Sequence, residues 1–237
     1  MKGNYNDIID IILTLIQDYE IQKSIAISGS IVPYLIMNIE SKEYHNDFHI
    51  LVKNKNMNYV RNKVKKLSKE YAFDIVSDSK KYSKEDFGFK IKYQDTYVGF
   101  FPYSIIDNNL TLKTYAVEKN NCIISFKTKI IPNITKSCLI RNINFAKDNT
   151  LRIITPEFIL INKESGETES DNSVDKTMHL LNKISDESIL KIIRESIFES
   201  KVKIEEKKLI KNDNKINLIL LFIFLILLTI AYICFKK

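Results

Sequence analysis

The sequence predicts an α/β domain built on a mixed sheet, followed by a basic stalk and one transmembrane helix. Three observations predict it. Helical and strand-like patterns alternate through the first hundred residues, which is the signature of sheet strands joined by helices. Hydrophobic residues make up 45% of the 237 residues, enough for a core. Residues 216–235 read INLILLFIFLILLTIAYICF, with fifteen Ile, Leu or Phe and no charge.

The elements follow in order. Residues 5–20 place Ile8, Ile12, Leu15 and Ile16 at helical spacing, so an amphipathic helix is expected. Residues 24–28 (SIAIS) read as a buried strand that ends at Gly29. Residues 31–40 read as a helix, with Pro33 tolerated in its first turn. Residues 48–53 (FHILVK) are a strand. Residues 57–71 are a lysine-rich helix with Val60, Val64, Leu67 and Tyr71 inward. A strand over 73–77 and a hairpin of 87–93 with 96–101 come next. Further strand-like stretches fill 110–131. Thr155-Pro156-Glu157 starts a helix, with Pro at its first position and an acid beside the positive dipole end. Residues 164–175 read as a polar loop. Residues 175–184 and 188–201 read as helices, the second running on into a helical stalk.

Charge locates the basicity. From Lys201 onward stand eight lysines against Glu205, Glu206 and Asp213, so five of the seven net positive charges belong to the tail. The domain itself is close to neutral, and nucleic acid is not an expected partner. Twenty apolar residues span about 30 Å as a helix, the thickness of a bilayer core. Six lysines lie in the fifteen residues before the span and two follow it. The positive-inside rule therefore places the N-terminal domain in the cytoplasm, on a single-pass membrane protein. Cys122, Cys138 and Cys234 form no CxxC pair, so a structural zinc site or a disulfide framework is not expected. The expected division is a domain at 1–200, a basic juxtamembrane stalk at 201–215 and the membrane helix at 216–235.

The chain holds only five glycines. Gly29-Ser30 lies between a buried strand and a helix, where exposed backbone N–H groups suit a phosphate. Seventeen residues on comes Asp47-Phe48-His49-Ile50-Leu51-Val52, with residues 47 and 49 on one strand face. Val98-Gly99-Phe100-Phe101-Pro102 follows, then Thr155-Pro156-Glu157 leading to Lys163. In this order the segments resemble the nucleotidyltransferase superfamily, especially its minimal and abortive-infection toxin types. The resemblance covers roughly residues 20–185. It implies a nucleotidyltransferase-like mixed sheet flanked by helices. It also implies a nucleotide held at Gly29 and Ser30, and an Asp-x-Asp pair with a third carboxylate holding divalent ions.

Against that pattern Asp47 is present, but the second position is His49 and the third is Gly99. Magnesium and manganese favour hard oxygen ligands, and one carboxylate of three does not assemble a two-metal site. The expectation is a catalytically inactive domain with Asp47 and His49 as vestiges and no metal. Such a domain would act as a nucleotide-binding or interaction module, beside the bilayer and a membrane-associated protein. The alternative is an active transferase of NMP onto protein, small molecule or RNA, using Mg or Mn in an altered site. His45 and His179 have no carboxylate or thiol at ligand spacing and read as surface or satisfied polar residues.

Overall fold

The computed structural model describes residues 4–42, 45, 48–71, 73–118, 123–145, 149–165 and 173–208. The expected membrane span and the acidic run at 166–172 lie outside the described residues. No described helix is long and apolar enough to cross a membrane.

Helix α1 (Tyr5–Ile16) starts where Asn4 accepts the N–H of Asp7 at 2.8 Å, and it buries Ile8, Ile11, Ile12 and Leu15. It stops earlier than its periodicity suggests. The Asp18 carboxylate accepts the N–H groups of Glu20 and Ile21 and so starts a second helix, α2 (Tyr19–Ser24). Strand β1 (Ile25–Ser28) ends at Gly29, whose φ of 101° suits a residue without a Cβ. Helix α3 (Val32–Met37) closes on Asn38 in the left-handed region. Strand β2 (His49–Lys53) leads to helix α4 (Met57–Leu67), where Met57, Val60 and Val64 are buried. Tyr71, expected inward, lies beyond the end of α4 and is exposed, its ring stacked on Phe73.

Strands β3 (Asp74–Asp78), β4 (Phe89–Tyr93), β5 (Thr96–Ile106), β6 (Asn109–Glu118) and β7 (Ile123–Ile131) form a meander. Helix α5 (Lys136–Leu139), β8 (Ile140–Phe145) and β9 (Asn149–Ile154) follow. Helices α6 (Pro156–Glu164), α7 (Ser173–Ile184) and α8 (Glu187–Phe198) precede β10 (Lys201–Lys208). The helical stalk expected from residue 201 is therefore a strand at its start. Lys201-Val202-Lys203-Ile204-Glu205 alternates with period two and carries β-branched residues, a strand pattern.

The sheet runs β10-β7-β6-β5-β2-β1-β9-β8, with β4 also on β5 and β3 beyond it. It is mixed, as expected: β2 lies antiparallel to β1 and parallel to β5, and β1 lies parallel to β9. Ile25, Ile27, Ile50, Val52, Val98 and Phe100 fill one face, all fully buried. The chain divides into two compact units, Met1–Tyr115 with Phe126–Glu205, and Ala116–Ser125 with Glu206–Lys237. The site described below belongs to the first. The second holds the adjoining ends of β6 and β7 and the last residues of β10.

Candidate functional site

Strand register assembles the site. Ser28 pairs with His49, His49 with Gly99, and Gly99 with Lys90. Paired residues on neighbouring strands share a face, so these four form one row across β1, β2, β5 and β4. The row lies on the face opposite Ile27 and Ile50. The two positions at which the resemblance expects carboxylates, 49 and 99, are thus direct neighbours. Asp47, the remaining one, lies outside the described residues.

Aromatic side chains fill the space in front of Gly99. A Cβ at that position would come within 2.7 Å of Cζ of Phe101 and 3.3 Å of Nδ1 of His49. The His49 and Phe101 rings meet edge to face at 5.3 Å. Tyr115 packs against Phe101 at 6.3 Å, and the Lys90 ammonium stands 5.2 Å from the Tyr115 ring centroid. Burial pushes the Lys90 ammonium below the usual lysine range and the Tyr115 phenol above its own. Any carboxylate added at position 99 would have to displace the Phe101 ring.

This donor set does not fit a pair of magnesium or manganese ions. Such ions need several converging oxygens. The row offers a serine hydroxyl, an imidazole, a glycine and an ammonium, and the ammonium repels cations. Asp47 alone would not reverse that balance.

Gly29 and Ser30 also have defined surroundings. Ser30 is buried, and its Oγ lies 2.9 Å from Nδ1 of His45. The His45 ring is buried edge-on against Tyr34 at 5.3 Å. His45 is therefore a buried residue and not a surface one, and the Ser30 hydroxyl partners its Nδ1. His179 is exposed on α7.

Glu157, read from sequence as an acid at a helix start, proves fully buried. It accepts from Arg141 at 3.1 Å and from the Asp186 N–H at 2.7 Å, which ties α6 to the start of α8. Sequence reasoning also missed Arg61. It is buried on α4, with Nε 3.2 Å from Asp78 and NH2 2.5 Å from Asp86. Its guanidinium lies 5.2 Å from the Phe89 ring centroid, beneath β4. The available signal was its place between Val60 and Val64 on the apolar stripe. Its acids come from segments 17 and 25 residues away in sequence.

Comparison with solved structures agrees with the fold. The solution structure of the antibiotic-resistance factor ANT(2'')-Ia matches 82% of this chain and 92% of its own, at 9% identity and a TM-score of 0.50. The lincomycin-bound lincosamide antibiotic adenylyltransferase LnuA matches 78% of this chain and 100% of its own, at 13% identity and a TM-score of 0.49. A crystal structure of ANT(2'')-Ia in complex with adenylyl-2''-tobramycin matches 74% and 87%, at 9% identity and a TM-score of 0.45. No protein-family model matches the chain, and no curated protein matches it by sequence. The first of these likenesses shows that the chain has a nucleotidyltransferase-like fold.

Proposed function

We propose that this chain is a membrane-anchored nucleotidyltransferase-like domain that binds without transferring nucleotides. One observation carries the reading: His49, Gly99 and Lys90 stand in register, with the Phe101 ring over the glycine. Phosphoryl chemistry in this fold asks for negative oxygens where the row has an imidazole, a residue with no side chain and an ammonium. The binding role falls to the turn at Gly29 and Ser30 for a nucleotide phosphate, or to the domain surface for a membrane-associated protein. The run at 216–235 supplies the anchor and concentrates the domain at the bilayer.

The second reading is an active transferase that pairs Asp47 with His49 around a softer ion. A transfer assay separates the two. Purified protein is incubated with each of the four labelled ribonucleoside triphosphates and Mg²⁺ or Mn²⁺. Pyrophosphate release is expected to stay at the blank, in the wild type and in Asp47→Ala alike. Metal-dependent release that disappears in Asp47→Ala would establish the active reading instead.

The anchor has its own test. The full chain is expected to stay with membranes through alkaline carbonate washing. A chain ending at residue 208 is expected in the supernatant, and its retention in the pellet would count against the span at 216–235.

A further inference from the structure

We propose that a second site on the same sheet face, where the Lys53 end of β2 meets β5 and Arg152 of β9, binds a small molecule carrying two or more phosphate groups. The place is a cavity of about 540 Å³. That volume falls within the range of small-molecule sites and far exceeds what one inorganic phosphate needs. Lys53 lies four residues along β2 from His49, roughly 13 Å away at strand rise. The cavity is thus separate from the row described above.

Its charge is one-sided. Lys53, Lys55, Lys136 and Arg152 line it, and among the described residues no carboxylate does. Among the described residues none of the four makes a salt bridge, although the domain is close to electrically neutral overall. Four cations held around one hollow repel each other, and folding alone gives no return for that arrangement. Burial first, then the charges of Arg152, Lys136 and Lys55, holds the Lys53 ammonium below the usual lysine range. A bound polyanion would relieve that crowding.

The arrangement is also built rather than merely exposed. Arg152 donates to the Lys23 carbonyl and, at 3.0 Å, to the Tyr103 hydroxyl. Tyr103 is buried and is the register partner of Lys53 on β5. These bonds fix the guanidinium plane at the cavity wall, where a fork of donors suits phosphate oxygens. Ile105 and Ile140 supply an apolar wall for the organic part of such a ligand. The sequence hid this site, because its cations come from three segments that only the sheet brings together.

Phosphates of this kind occur on soluble nucleotides and on phosphoinositide headgroups, so the test separates those sources. The full-length protein in detergent is titrated by calorimetry with inorganic tripolyphosphate, with ATP and with glycerophosphoinositol bisphosphate. Tripolyphosphate is expected to bind, and more weakly as salt rises. The double variant Lys53→Gln/Lys136→Gln is expected to lose at least about tenfold in affinity. It should also melt no lower than wild type, because the substitutions remove repulsion. A control pair on α4 and just beyond it, Lys66→Gln/Lys69→Gln, removes the same charge from an exposed surface and is expected to bind as wild type. Tighter binding of ATP or of the headgroup than of tripolyphosphate names the source. Absence of tripolyphosphate binding, wild-type affinity in the Lys53/Lys136 variant, or an equal loss in the control pair overturns the proposal.

Discussion

Arg61→Ala is expected to cost about 3–5 kcal/mol of folding stability, because it leaves the buried Asp78 carboxylate without its cation and Asp86 with Lys80 alone. The side chains of Arg61, Asp78 and Asp86 are 4%, 9% and 14% exposed. Asp78 also accepts the Lys80 N–H at 3.1 Å, and Asp86 accepts the Gly88 N–H at 3.0 Å. The cluster thus fixes α4, the end of β3 and the start of β4 against each other. Urea unfolding at pH 7 gives the loss directly. A change below about 1 kcal/mol would show that the ion network is not what holds these elements.

The pH dependence of that loss follows from Asp86. Burial alone would push its carboxyl up, but the Arg61 guanidinium, the Gly88 N–H and Lys80 outweigh it and hold it below the usual carboxylate range. A carboxyl lowered on folding stabilises the native state above its unfolded value of about 3.9, and that gain vanishes as pH falls through the folded value. The wild type is therefore expected to hold this contribution down to about pH 4 and lose it below. In Arg61→Ala only the Gly88 N–H and Lys80 remain to oppose burial, so most of that lowering is lost. The difference between the two proteins should be largest near neutrality and shrink below pH 4. A difference that grows on acidification would contradict the assignment.

Gly88→Ala is the second large effect, of order 3 kcal/mol. Gly88 has a φ of 105°, a region that residues with a Cβ rarely adopt. An added Cβ would also collide with the Phe100 carbonyl oxygen and come within 3.1 Å of the Phe101 ring. Backbone cannot swing aside as a side-chain tip can, so β4 would have to separate from β5. Since Phe101 covers Gly99, the same displacement would disturb the candidate site. Chemical denaturation measures the loss, and a cost under 0.5 kcal/mol would mean that the turn before β4 relaxes freely.

Much of the fold was legible because the core advertises itself. Ile8, Ile12 and Leu15 repeat at helical spacing, FHILVK is too apolar and too short for a surface helix, and Gly29 and Pro156 mark boundaries. The site was legible in part for a related reason. The motif order put His49 and Gly99 at the second and third carboxylate positions, and the sheet register makes the two direct neighbours. The ring of Phe101 over the glycine was not legible, because it depends on side-chain packing within one strand. Strands β8 and β9 were missed because Arg141, Asn142, Asn144 and Arg152 dilute their alternation. The break at Asp18 was hidden by apolar residues that continue in phase on either side. Arg61 and the basic cavity were out of reach because their partners meet only through long-range strand pairing.

An inactive domain and an active one differ in whether the row at His49, Gly99 and Lys90 gathers divalent cations. Titrating Mn²⁺ into the full-length protein with a non-hydrolysable ATP analogue, and following free Mn²⁺ by electron paramagnetic resonance, counts the ions directly. An inactive row is expected to bind no more manganese than the analogue alone accounts for, with no change in Asp47→Ala. Two tightly held ions per chain, lost on that substitution, would contradict it.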